Sequence, residues 1–462
     1  MPASDFFTDR AAGACAIHVV DNEGLEALLA KLTDAHRGWV RSTGWQPKPG
    51  AVLALPGSDG SIAAVLAGKG GAEPFWALAA IPGQLPAGSY AYADEDLDAD
   101  ERRRHALAWG IGQYAFSRQA QPKRALSRKL AWPNDVEPGG ILSAVDADAL
   151  VRDLVNAPAG AMGPAELAQA ASSLAAASGA EFREVVGDAL LAEGFPAIHA
   201  VGRASARAPR LLELLWGDPG RPRVTLVGKG VCFDTGGLNL KAAQGMRNMK
   251  KDMGGAAHVL GLAKMVMDAG LPVRLRVLIP AVENSIDGNA YRPGDVVPTR
   301  AGLTVEIGNT DAEGRVVLAD ALALADEESP ELLLDFATLT GAARVALGAD
   351  LPALFSTDPG LAQDLARAGA DDGDPLWPMP LWAPYASALT GGIADLVNVN
   401  SDGLAGAIYG GLFLERFVTK AQAWMHVDTF AWNPRNRLGR PEGGMGQGMR
   451  AAFALLAARY SA

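Results

Sequence analysis

Apolar positions recur at two spacings along this chain, and the alternation of spacings changes character near residue 140. In the first stretch, Cys15-Ala16-Ile17-His18-Val19-Val20 reads as a strand, and Val52-Leu53-Ala54-Leu55 and Ala63-Ala64-Val65-Leu66-Ala67 read as two more, parted by Gly and Asp turns. Leu25, Leu28, Leu29 and Leu32 fall at helical spacing and predict a helix from Glu23 to Val40. A second helix is predicted from Asp98 to Gln113, with Ala106, Leu107 and Trp109 turned inward and Arg102-Arg103-Arg104 on a solvated face. No cluster of chemically active side chains stands out here.

Trp132-Pro133-Asn134-Asp135 and Glu137-Pro138-Gly139-Gly140 interrupt the pattern and mark a boundary. Beyond it, a helix is predicted from about Ser143 to Asn156, stopped by Pro158 and Gly160, and another begins near Pro164. Strands at Leu211–Trp216, Val224–Val227, Val273–Ala281, Leu332–Ala337 and Ala423–Asp428 then alternate with helices. One of these helices, Gly254 to Ala269, puts Ala256, Leu260, Ala263 and Met267 on one face. Strands separated by helices argue for a largely parallel sheet covered on both faces. The expected architecture is α/β in two domains. Residues 1–140 form a small N-terminal α/β domain, a candidate oligomerisation element. Residues 141–462 form a larger domain with a mostly parallel sheet. Ligands of such sheets gather beyond the carboxyl ends of the strands.

Composition narrows the function. A chain of 462 residues, 49% hydrophobic and 20% charged, has the makings of a globular protein with two or three real cores. A net charge of −11 disfavours nucleic acid and anionic membrane as partners. Cys15 and Cys232 alone build neither a disulfide framework nor a cysteine zinc site. The first residues lack a basic segment followed by an apolar run. No stretch of about 18 uncharged apolar residues appears. A reducing cytoplasm is the expected location.

The chemistry concentrates in Ile307-Gly308-Asn309-Thr310-Asp311-Ala312-Glu313-Gly314-Arg315, just ahead of the apolar run from Val316 to Ala325. Charges on a Gly-flanked turn at the start of a buried helix must be paired or metal-bound, because isolated buried charges are very costly. Helix capping explains one acid, but not Asp, Glu and Arg together. Two other segments join it: Val227 to Gly237, carrying Lys229 and Asp234 with Lys241 shortly after, and Met249 to Gly255, carrying Asp252. Gly228-Lys229-Gly230 lacks the spacing of a phosphate loop. Four converging carboxylates, Asp234, Asp252, Asp311 and Glu313, would repel and take up protons. Two divalent ions about 3.5–4 Å apart resolve that repulsion. Oxygen-rich ligation leaves magnesium, manganese and zinc open.

These segments resemble the leucyl aminopeptidase family, as do Arg152-Asp153-Leu154-Val155-Asn156 and Phe336-Ala337-Thr338-Leu339-Thr340-Gly341-Ala342. The resemblance runs in order over about residues 150–450 and is weak before that. Val316, Thr235 and the segment Met425–Phe430 depart from the usual pattern without touching an expected ligand. The resemblance implies a cytosolic metallo-exopeptidase that releases the first residue of peptides with a free N-terminus, with a water bridging two ions, zinc or manganese, as nucleophile. Lys229, Asp234, Asp252 and Glu313 would hold one ion; Asp234, Asp311 and Glu313 would hold the other. Lys241 would polarise the scissile carbonyl, and Arg315 would hold a bicarbonate ion acting as general base. Met249, Thr338, Leu339 and Gly341 would line the pocket for an apolar first residue such as Leu. A homo-hexamer is the implied assembly. Two rivals remain: a dimetal hydrolase of other amino-acid amides, and a DNA-binding regulator with secondary peptidase activity. His258, His426 and Asp428 are expected to pack or hydrogen-bond structurally, Asp335 to be a satisfied carboxylate, and Lys250 and Lys251 to be solvated or locally paired.

Overall fold

The computed structural model describes residues 2–9, 12–93, 97–116 and 127–461. The chain divides into two compact units: Met1–Ala149 with Asn433–Glu442, and Leu150–Trp432 with Gly443–Ala462. The mixed α/β architecture read from the pattern is present in both.

Among its described residues the first unit holds six strands: β1 (Phe7–Thr8), β2 (Cys15–Val20), β3 (Val52–Pro56), β4 (Ile62–Gly68), β5 (Gly88–Tyr92) and β6 (Arg128–Ala131). They are ordered β1-β6-β5-β2-β4-β3, and only the β3–β4 hairpin is antiparallel. The single helix expected over Glu23–Val40 is two, Leu25–Lys31 and Asp34–Thr43. Leu32 is extended, and Thr33 caps the second helix by accepting a hydrogen bond from the His36 amide. The apolar spacing runs through the break, so periodicity alone hides it, while the cap residue decides it. Leu29, Val40, Leu55, Ala64 and Leu66 form the small core under these helices. The helix Ala99–Ile111 starts at a capping box, Asp98 with Glu101, and buries its second half from His105 to Ile111.

The second unit is built on β7 (Glu181–Val186), β8 (Arg210–Trp216), β9 (Arg223–Gly228), β10 (Gly230–Asp234) and β11 (Arg274–Asn284). It continues with β12 (Val296–Pro298), β13 (Thr304–Glu306), β14 (Leu332–Ala337), β15 (Ala353–Ser356), β16 (Trp377–Pro378), β17 (Leu396–Val397) and β18 (Trp424–Asp428). The main sheet runs β16-β15-β18-β14-β9-β11-β8-β7, with β10 pairing β11 off this path, and β12-β13-β17 form a small separate sheet. The centre, β18-β14-β9-β11-β10, is parallel. The flanking pairs β15–β18, β8–β11 and β7–β8 are antiparallel. All six residues of β14 and all five of β18 are buried, as strands covered on both faces must be.

Two helices pack on this centre. Glu313–Asp326 buries every residue but Leu324. Gly254–Asp268 approaches the sheet so closely that a Cβ on Gly255 would lie 2.1 Å from the Phe336 carbonyl oxygen. That clearance is why glycine stands at the start of the helix. It brings the residues just before the helix down onto the ends of β9 and β14.

Candidate metal centre

Each carboxylate sits where a parallel strand or a buried helix changes direction. Asp234 is the last residue of β10, beside Asn284 at the end of β11. Its Oδ1 accepts hydrogen bonds from the Gly236 amide and from Asn284 Nδ2, each 2.8 Å, and its Oδ2 lies 2.7 Å from Lys241 Nζ. Asp252 lies in the 3-10 turn Met249–Met253; its Oδ1 accepts from Thr338 Oγ1 at 2.8 Å and its Oδ2 from Lys229 Nζ at 2.7 Å. Glu313 opens the buried helix with Oε1 2.9 Å from Lys229 Nζ. Asp311 is half-buried, its Oδ1 2.5 Å from Lys241 Nζ. Lys229 also donates to the Thr338 carbonyl at 2.9 Å. Its stem crosses Gly314, where a Cβ would lie 2.5 Å from Lys229 Cε, so a glycine after Glu313 is a packing requirement.

Asp234, Asp252 and Glu313 each offer an oxygen, and these lie within 4.8 Å of one another. Asp311 stands beside this group, joined to Asp234 through Lys241. Four carboxylates are thus in direct contact with two ammonium groups. The imbalance appears in the titration of the acids. Burial and the neighbouring Asp234 push Glu313 up to about 8. Burial and Asp252 push Asp234 up to about 6. Burial also opposes the Asp252 carboxylate, but Lys229 and Lys251 outweigh it and hold the group low. Burial works against charge on Lys229 as well, and Asp252, Glu313 and Asp234 more than compensate. Glu313 Oε2 is buried without a hydrogen-bond partner. An orphaned carboxylate oxygen inside an acid-rich cluster is the donor set that a hard divalent cation fits.

Arg315 lies two residues on, buried, with Nε lacking any partner. Its guanidinium stands 5.9 Å from the Phe413 ring. Among the described residues no carboxylate comes within ion-pair distance of it. Burial lowers it to about 10, against the pull of Asp428 and Glu313. A buried planar cation with unfilled donors fits a small planar oxyanion.

Of the residues expected to line a side-chain pocket, Thr338 bonds directly to Asp252 and Lys229. Leu339 is tied back through its amide to Asp428 Oδ1. Met249 is half-buried at the start of the Asp252 turn. Gly341 begins the helix Gly341–Leu347 and is exposed.

The remaining candidates are satisfied elsewhere. His258 bonds through Nδ1 to the Gly254 carbonyl and through Nε2 to the Gln447 amide, which fixes a neutral ring with both nitrogens engaged. Asp335 accepts from His426 Nδ1 at 2.6 Å and Trp424 Nε1 at 2.8 Å. Cys232 is fully buried. Lys250 donates to the Asn156 carbonyl. Lys251 is not solvated: it is buried, its ammonium 3.9 Å from Asp252.

Two residues escaped the sequence reading. Asn284 holds both Asp234 and the Thr310 carbonyl, and its place at the end of a central parallel strand was the available signal. Gln447 carries no comparable signal, since its partners Thr429, Ala431 and Ala349 are far away in sequence.

Residues 149–453 match the catalytic domain of the cytosol aminopeptidase family, and residues 15–133 match the N-terminal domain of M17 aminopeptidases. The chain belongs to the cytosol aminopeptidase family. A probable cytosol aminopeptidase of Syntrophotalea carbinolica is 44% identical over 312 residues, 67% of this chain and 62% of that protein. The match to that relative therefore spans about three fifths of its length. The crystal structure of a cytosol aminopeptidase from Coxiella burnetii superposes with a TM-score of 0.95 at 45% identity, covering 99% of this chain and 100% of that one. The bottromycin maturation enzyme BotP in complex with Mn superposes with a TM-score of 0.86 at 35% identity, covering 97% of this chain and 99% of that one.

Proposed function

We propose that this member of the family is a metal-dependent aminopeptidase that hydrolyses the first peptide bond of peptides with a free N-terminus. The observation that carries the proposal is the buried cluster of Asp234, Asp252 and Glu313 around the unpartnered Glu313 Oε2. Lys229, as the neutral amine that adjacent cations would favour, would hold one ion with Asp234, Asp252 and Glu313, and Asp234, Asp311 and Glu313 would hold the other. The likeness to a manganese-bound neighbour supports manganese, and the donor set also suits zinc. The ions supply Lewis acidity and an activated water at neutral pH.

The chain's own residues divide the rest of the work. Asp234 and Glu313 would serve both ions, Asp234 held by Asn284 and Glu313 by the start of a buried helix. Lys241, tethered by Asp234 and Asp311, directs its ammonium at the scissile carbonyl and stabilises the oxyanion that develops there. Arg315, with its unpartnered Nε, would hold a bicarbonate ion that could accept the proton. Thr338 fixes Asp252, and the segment through Gly341 would line the first residue's pocket together with Met249. That pocket takes an apolar residue such as Leu, since a thioether adapts to varied shapes. The working assembly is a homo-hexamer in the cytoplasm.

The test is hydrolysis of Leu-Gly against N-acetyl-Leu-Gly, with metal content measured on the same protein. Cleavage of the free dipeptide alone, lost with chelator and restored by Mn or Zn, is the expected result. Glu313→Ala should lose both metal and turnover. Equal kcat/KM for the blocked and free dipeptides, or full turnover of Glu313→Ala, overturns the proposal.

A further inference from the structure

One cation beside the cluster has no acceptor of its own. Lys251 is 5% exposed, yet among the described residues its ammonium donates no hydrogen bond, and the nearest carboxylate oxygen is Asp252 Oδ1 at 3.9 Å. An ammonium carries three donors, and no protein oxygen among those residues takes a hydrogen bond from this one. Its closest companion is an aromatic face: Nζ lies 4.9 Å from the centre of the Phe430 ring. The guanidinium of Arg344 lies 5.1 Å from the centre of the same ring. Lys251 is buried and Arg344 exposed, so Phe430 has one cation at its inner side and one at its rim.

The turn that presents Phe430 is held rigidly. Ala431 is fully buried with φ of 54°, in the left-handed region that a residue with a Cβ rarely adopts. Its amide donates to Gln447 Oε1 at 2.9 Å, and Thr429 Oγ1 donates to the same oxygen at 3.0 Å. Gln447 is fixed in turn through its own amide by His258. On the other side, a Cβ on Gly254, two residues after Asp252, would lie 2.5 Å from the Ala431 Cβ. Backbone strain of this kind persists only where the surroundings over-determine it, and it clusters at functional sites.

We infer that Lys251 and Arg344, with Phe430 between them, form a part of the first-residue pocket that receives a carboxylate. Peptides beginning with glutamate or aspartate then become substrates alongside those beginning with apolar residues. The inference rests on the aminopeptidase reading. A carboxylate is acceptor-only and supplies the lone pairs that the Lys251 ammonium lacks. The Phe430 ring packs against the methylenes, and Arg344 adds charge at the rim.

Glutamine has the shape of glutamate without its charge, so the ratio of kcat/KM for Glu-p-nitroanilide to that for Gln-p-nitroanilide isolates the effect. The experiment uses the full chain loaded with Mn and includes Leu-p-nitroanilide. The wild type should favour Glu over Gln by roughly tenfold, the factor that one charge-assisted hydrogen bond supports. Lys251→Met should bring the ratio to one or below. Arg344→Gln, at an exposed position that leaves the fold intact, should lower it by about two- to threefold, an effect that fades with salt as rim charges do. Because each ratio is internal to its variant, a general loss of turnover does not imitate the result. Leu cleavage with a wild-type ratio at or below one overturns the inference while leaving the aminopeptidase reading intact. An unchanged ratio in both variants also overturns it. If no unblocked substrate is cleaved, Leu included, the aminopeptidase reading fails and the inference with it.

Discussion

Asp428 ends β18 and is buried, and it accepts three hydrogen bonds from one short segment: the Leu339 amide at 2.9 Å, the Thr340 amide at 3.2 Å and Thr340 Oγ1 at 2.6 Å. Thr340 also caps the helix Gly341–Leu347. The preceding residue, Thr338, binds Asp252 and Lys229. Asp428→Ala removes an ionised acceptor and strands three donors at once. Bonds to a charged group contribute about 1.5–3 kcal/mol each and are not additive, so a loss of roughly 3–5 kcal/mol is expected, similar to breaking a buried ion pair. Asp428→Asn keeps an oxygen for both amides and can donate to Thr340 Oγ1, so it should cost about 1 kcal/mol. If the segment positions substrate and Asp252 together, its release should also lower kcat by roughly a hundredfold, the scale of an ångström of misplacement. Urea midpoints at constant slope report stability, and single-substrate kinetics on metal-saturated protein report kcat. Equal destabilisation by Ala and Asn would refute the hydrogen-bond account. A destabilised Ala variant with normal kcat would refute the positioning account.

Gly255→Ala should cost about 3 kcal/mol or more or yield insoluble protein, because the new Cβ would stand 2.1 Å from the Phe336 carbonyl oxygen and 2.8 Å from the Lys229 amide nitrogen; a thermal midpoint within a degree of wild type would contradict this. Arg315→Ala should keep its metal yet lose any response of kcat to added bicarbonate, whereas Lys241→Ala should lose about 10²–10³ in kcat; a bicarbonate response like the wild type's in the Arg315 variant would place the base elsewhere. His105 is held down to about 4 by burial, with Lys69 and Arg104 adding to the effect. Its neutral form is favoured by folding, so that contribution is complete above pH 6.5, falls as pH drops through 6.5 and levels off below 4. Between pH 7 and 5 this amounts to about 2 kcal/mol, which His105→Phe should abolish; an equal acid sensitivity in that variant, read by thermal melts at both pH values, would rule the histidine out.

The sheet's parallel centre was legible because its strands are buried on both faces and so appear as nearly continuous apolar runs, such as Leu332–Ala337 with Asp335 alone interrupting it. Of the antiparallel flanks, Leu211–Trp216 was legible too, but β7 and β15 were not. Glu181–Val186 shows no clean alternation, with only Val185 fully buried, and Ala353–Ser356 is too short to separate from its surroundings. Among the site residues, the acids were visible because charge at a buried helix start has to be accounted for. Lys251 was read as solvated or locally paired; it does stand beside Asp252, but it is buried rather than solvated. The Phe430 ring that faces its ammonium lies 179 residues away in the chain, which no local pattern reveals.

The turn at Thr429–Ala431 has a meaning for how such proteins diverge. Its shape is set by Gln447 and by the left-handed backbone at Ala431, not by the side chain at position 430. Position 430 can therefore change size or polarity while the backbone around it stays put. The carboxylates have no such latitude, because each is fixed by a strand end, a helix start or a glycine with no clearance. New selectivity can accordingly arise by a single substitution on this turn, with the hydrolytic chemistry inherited unaltered.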